Sequence, residues 1–208
     1  MPNTNSLTAM LAVAAMAILI LTMPSQATEA DFTNPAFAQV AGPATVPVGH
    51  LEFCKTHSGE CGPNTGAVVA TALTDARWAE LVGVNNGYNS GITPVTDEDF
   101  YKIAEYWTYP DGFGDCEDIA LAKRRALIAD GWNPSTLLMT VVRETNGNGH
   151  AVLMVRTDRG DLVLDNQDGM IRLWSETPYQ YLKRQSQANA GEWVDLTDTR
   201  MQLVAASN

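Results

Sequence analysis

The chain has 208 residues, 45% hydrophobic and 18% charged, which is enough apolar material for the core of one domain behind a short leader. Its formal net charge of −11 argues against nucleic acid or an anionic membrane surface as the main partner, because both would repel it. The same charge suits a cationic partner or a bound metal cation, and otherwise serves solubility.

Residues 1–27 read as a secretory signal. Leu11 to Met23 is a nearly unbroken apolar run, too short for a comfortable membrane span. Pro24-Ser25-Gln26-Ala27 follows, with small residues placed for cleavage after Ala27. Met1 to Leu7 lacks the usual Lys or Arg, so an uncleaved anchor is the alternative. Residues 28–50 are rich in Pro, Ala and Thr and predict a loose lead-in to a single domain over 51–208. A periplasmic or secreted location fits the cysteines. Cys54 and Cys61 are seven apart, and a disulfide closing that loop suits an oxidising compartment. A half zinc site using His57 is the alternative. Pairing these two leaves Cys116 as the odd thiol, and reactivity is a leading reason for one in an exported protein.

A helix is predicted over Thr74 to Val82, then a Gly/Asn-rich loop from Asn85 to Pro94. Thr96 reads as an N-cap with Asp99 as its capping-box partner. Phe100, Ile103, Ala104 and Trp107 follow at helical spacing and should face the core. Tyr109-Pro110-Asp111-Gly112 carries turn chemistry. A second helix should run from Cys116 to about Ala129, capped by Asp115 and ended by Gly131, with Ile119, Ala122 and Ala126 buried. The pattern then changes to period two. Strands are expected over Thr136 to Arg143, His150 to Arg156 and Asp161 to Asp165, with a fourth over Ile171 to Trp174. Helices followed by a strand meander indicate an α+β fold with an antiparallel sheet.

The chemistry centres on Gly114-Asp115-Cys116-Glu117-Asp118. A thiol attacks well only as thiolate, and the first turn of a helix favours negative charge there. The same N–H groups can bind the oxyanion of a tetrahedral intermediate. Of three histidines, His57 lies in the cystine loop and His50 in the lead-in. His150 opens a strand after a Gly-rich turn and is the best base by elimination, against the plain reading of a polar residue at a strand end. Asp165, Asn166 and Asp168 can each orient the imidazole. If Asp158-Arg159-Gly160 is a three-residue turn, Asp168 falls opposite His150 and Asp165 opposite Leu153. Asp115, Glu117 and Asp118 crowd the thiol and oppose its ionisation. They read either as first-turn acids or as ligands of a hard cation such as calcium.

Trp107-Thr108-Tyr109-Pro110, Gly114 to Asp118, Lys123, Leu127, Gly131-Trp132, Gly149 to Leu153 and Leu162 to Asn166 together resemble the bacterial transglutaminase-like cysteine proteinases. The best-known members are LapG-type periplasmic proteases, which trim surface adhesins. The resemblance covers roughly Ala79 to Trp174. It implies a papain-like or transglutaminase-like core with the nucleophile at a helix N-terminus, and a triad of Cys116, His150 and Asp165. It implies calcium held through Asp115 and Glu117, a protein substrate and, for the LapG-type branch, an inner-membrane regulatory partner; the chain itself is expected to be a monomer. The Cys54/Cys61 pair departs from that branch and suggests a sister with another substrate. The expected function is an exported cysteine endopeptidase of cell-surface or periplasmic proteins. A transglutaminase or deamidase with the same triad and a non-catalytic binding module are the alternatives.

Overall fold

The computed structural model describes residues 37–66 and 70–198. The expected leader lies outside them. Among the described residues no helix is long and apolar enough to cross a membrane.

The strands are β1 (Gln39–Ala44), β2 (Thr93–Pro94), β3 (Phe113–Gly114), β4 (Leu137–Arg143), β5 (Gly149–Thr157), β6 (Gly160–Leu164), β7 (Arg172–Leu173), β8 (Gln180–Gln185) and β9 (Trp193–Thr197). The helices are α1 (Val48–Thr56), α2 (Asp75–Gly91), α3 (Asp97–Phe100) and α4 (Cys116–Ala129). Seven strands form one sheet in the order β1-β9-β8-β4-β5-β6-β7, and β2 pairs with β3. Every pairing in the large sheet is antiparallel. This is the expected α+β class.

Strands β4, β5 and β6 are buried on both faces, so they read as apolar runs more than as clean alternation. One face packs Met139, Leu153, Val155 and Leu164 against Leu121, Leu127 and Trp132 of and beside α4. The other packs Val142, Val152, Met154 and Val163 against Trp174, Tyr179 and Tyr181. Helix α4 starts and ends where the sequence placed it. Gly131, at φ +82°, closes it by sending its N–H to Ile128 O (3.0 Å) while Trp132 N–H reaches Leu127 O (3.0 Å).

Four expectations need correction. The lead-in is structured from residue 39: β1 pairs with β9, and α1 begins at Val48. The Gly/Asn-rich stretch is not a loop as far as Gly91, because α2 runs through it. Tertiary bonds override weak propensity there: Asn85 Nδ2 donates to Gly169 O (3.2 Å) and Asn89 Nδ2 to Asp165 O (2.7 Å). Thr96 does cap α3, but the helix ends at Phe100, and Lys102 takes the left-handed conformation at φ +61°. Phe100 and Ile103 are therefore exposed, at 54% and 50%, and Trp107 reaches the core by another route. Finally, the β5–β6 turn has two residues, with Thr157 opposite Gly160.

Candidate active site

Cys116 is the first residue of α4, partly exposed at the floor of a cleft of about 420 Å³. Trp107, Glu117, Val141, His150, Ala151 and Lys183 are among its walls. Trp107 is pressed against Gly49 of α1, where a Cβ would fall 2.2 Å from Trp107 Cδ1, so only glycine permits that wall.

The shorter β5–β6 turn brings Asp165, and not Asp168, near His150. It shifts the register by one, and a one-residue shift exchanges the faces of a strand. Leu153 pairs with Leu164. Extending that register puts Asp165 beside Val152, on the same face as His150 and diagonal to it. Side chains bridge such diagonals. His150 Nε2 donates to Asp165 Oδ1 at 2.9 Å, with both residues buried. An ionised carboxylate accepts only, so Nε2 carries hydrogen and Nδ1 is left as the basic nitrogen. Gln167 Nε2 lies 3.5 Å from it.

Asp165 is held from three more sides. Its Oδ2 accepts from Tyr179 Oη at 2.5 Å, its Oδ1 from Gln167 N–H at 2.9 Å, and its carbonyl from Asn89. Burial raises its pKa, but the bond and charge of His150 with the bonds from Tyr179 and Gln167 outweigh that, and the carboxyl ends below its ordinary range. Behind it Lys123 is buried, donating to Asn85 Oδ1 at 2.8 Å. Asp168, the residue the simple register favoured, pairs instead with Arg172 (2.8 Å) and is half-exposed.

Among the described residues the Cys116 thiol has two hydrogen-bond partners. Sγ donates to Glu117 Oε2 at 3.0 Å and accepts from Ala151 N–H at 3.3 Å. The imidazole is not among them. Burial, then the charge and hydrogen bond of Glu117, push the thiol pKa well up, and the Ala151 N–H opposes this only in part.

Asp115 stands at the N-cap of α4 but makes no capping bond. Its Oδ2 accepts from Asp97 N–H at 3.3 Å, and among the described residues its buried Oδ1 has no hydrogen-bond partner. Oxygens of Asp97, Asp115 and Glu117 lie within 4.8 Å of one another. Burial, joined by the charge of Asp115, raises the pKa of Glu117. Asp97 is raised chiefly by burial and then by Asp115 and Glu105, against the bond from Tyr106 N–H. Asp118 is raised to about 7 by burial, against the bond from Thr108 N–H. Three crowded carboxylates with an orphaned oxygen form a donor set that fits a hard cation. Asp115 and Glu117 were expected in that role. Asp97 was not, because after Thr96 it looks like an ordinary first-turn acid. Tyr179 gave no sequence signal.

Cys54 and Cys61 form a disulfide with Cα atoms 5.6 Å apart, so the zinc alternative falls. His57 stacks on Phe53, with ring centres 4.2 Å apart. His50 is buried, receives Trp193 Nε1–H at 3.1 Å, and is lowered to about 4 by burial and by Arg124.

A thiol at a helix N-terminus, laid against a strand that carries a histidine paired with an aspartate from the end of the next strand, is the arrangement of the papain-like and transglutaminase-like cysteine peptidases. Residues 40–201 match the family described as bacterial transglutaminase-like cysteine proteinase BTLCP. The chain belongs to that family and is a cysteine peptidase. Among solved structures it is similar to Legionella pneumophila LapG treated with EGTA, at 27% identity and TM-score 0.50, over 59% of this chain and 68% of that one. It is also similar to calcium-bound Legionella pneumophila LapG, at 25% identity and TM-score 0.50, over 63% and 80%. No curated protein matches it.

Proposed function

We propose that Cys116, His150 and Asp165 are the triad of an exported endopeptidase that cleaves cell-surface or periplasmic proteins through an acyl-enzyme. The observation that carries this reading is the buried 2.9 Å His150–Asp165 pair on the wall of the cleft that holds Cys116. Asp165 fixes the tautomer and stabilises the imidazolium, so Nδ1 takes the thiol proton. For this the Cys116 side chain must leave Glu117 and turn toward the ring. The thiolate then attacks the peptide carbonyl, and the free N–H groups of the first turn of α4 stabilise the oxyanion. The imidazolium protonates the departing amine. Water, deprotonated by the same imidazole, releases the acyl group. The Cys54–Cys61 cystine supports export, since such bonds persist in oxidising compartments.

Asp97, Asp115 and Glu117 would hold a calcium ion, by their donor chemistry and by the likeness to a calcium-bound LapG structure. A cation bound there supplies positive charge beside the thiol. Engaging Glu117 elsewhere would leave Cys116 free to meet His150.

The same triad could pass the acyl group to an amine. Incubation with casein and a labelled amine separates the two. New peptide termini without label support the peptidase, whereas label without cleavage supports a transglutaminase. A Cys116→Ala form that kept its full biological effect would leave only a binding role.

A further inference from the structure

A second cleft, of about 340 Å³, lies between the cystine loop and α4. Gly62, Pro63, Thr65, Arg124, Arg125 and Ile128 are among its lining residues. Arg124 is only 4% exposed. Its Nε donates to Leu137 O at 3.0 Å. Among the described residues its two terminal nitrogens make no hydrogen bond. The nearest acid, Glu60, stands 4.0 Å from Nη1, and the Glu60 Oε2 atom already accepts from the Tyr109 hydroxyl. Arg125 sits over the Tyr109 ring, 4.5 Å from its centre, on the rim of the same cleft. Two arginines and one glutamate leave the cleft at +1, on a chain whose net charge is −11.

The wall opposite α4 is tied down. The disulfide closes it, Asn64 N–H and Nδ2 reach Ala188 O (2.8 Å) and Gln187 O (2.9 Å), and Ala190 N–H reaches Gly62 O (2.9 Å). The terminal nitrogens of Arg124 are not sealed off as buried unpaired donors; they open on the cleft, and the planar fork of a largely buried guanidinium matches an oxyanion placed there. We propose that this cleft binds a small oxyanion, a carboxylate or phosphate group, on Arg124 with Arg125 at the rim. The ligand adds an acceptor to the face of Arg124 that Glu60 does not reach. The site uses none of the groups around Cys116, and it gives the cystine loop a role as a preformed wall.

The test is a low-salt NMR titration of the full mature chain with inorganic phosphate, and separately with acetyl-glutamate amide and its glutamine counterpart. Saturable shifts at residues around Arg124 with phosphate or the glutamate compound, and none with glutamine, support the site. Which of the two binds more tightly identifies the source of the oxyanion. Arg124→Gln should weaken binding at least tenfold, and Arg125→Gln several-fold. Glu60→Gln should tighten it by removing repulsion, which keeps the test decisive if Arg124→Gln does not fold. Arg172→Gln, at an exposed site elsewhere, should change nothing. The proposal is overturned if neither oxyanion saturates, or if binding is the same in the Arg125→Gln and Glu60→Gln forms as in the wild type.

Discussion

At the scale of single residues, the thiol rests in a state that chemistry must undo. Cys116 donates to Glu117, and its pKa is raised by burial and by that carboxylate. Asp165 is the opposite case, an acid held ionised by His150, Tyr179 and Gln167. Its folded pKa is depressed, so the benefit of its charge is present at neutral pH and is lost as pH falls through the folded value. Removing the Tyr179 hydroxyl weakens that hold. Tyr179→Phe should therefore move the acid limb of Cys116 alkylation by iodoacetamide to higher pH and lower the neutral-pH rate several-fold. An unchanged profile would mean that Tyr179 only packs. The sequence made Cys116 legible through its place at a helix start, and His150 through its strand-opening position. Strand register alone could not choose among Asp165, Asn166 and Asp168, because their positions depend on whether the β5–β6 turn has two residues or three, and Asp158-Arg159-Gly160 suits both; only the family resemblance favoured Asp165.

At the scale of elements, α4 carries the site, and α1 shapes its cleft by way of Trp107. Gly49→Ala puts a methyl group into the Trp107 ring and should destabilise the fold by about 1–3 kcal/mol, as overpacking does, read as a lower melting temperature. The start of α4, with the first residue of α3 beside it, is also where buried acids crowd. Glu117, Asp97 and Asp118 all have raised pKa values. An acid raised on folding contributes stability that is full below its unfolded pKa, about 4, and is lost as pH rises through the folded value, about 7 for Asp118. With chelator present, the melting temperature should fall between pH 5 and pH 9, and millimolar calcium should flatten that fall. Identical curves would reduce these acids to helix-end chemistry. Helix α4 was legible because period, breaker and cap residues agree. Helix α3 was misjudged because the apolar spacing through Trp107 mimics a helix that Lys102 interrupts, and α2 because Asn85 and Asn89 act through contacts distant in sequence.

At the scale of the whole molecule, an antiparallel sheet covered by helix α4 presents one cleft at Cys116 and another behind the cystine loop. The meander β4–β5–β6 could be read from local alternation and turns. Strands β1, β8 and β9 could not, since β1 joins the sheet through β9, more than 140 residues later in the chain, and none of the three alternates cleanly. The disulfide closes a short loop, with a sequence separation of 7, so opening it should cost roughly 2 kcal/mol on chain-entropy grounds. A Cys54→Ser/Cys61→Ser form should melt lower by a matching amount, and dithiothreitol should have little further effect on it. The proposed activity is proteolysis that depends on Cys116. The direct measurement is proteomics of new protein N-termini in cells carrying the wild-type chain and in cells carrying Cys116→Ala at equal abundance. A small set of exported proteins should show termini present only with the wild type; identical termini in the two would contradict a peptidase role for Cys116.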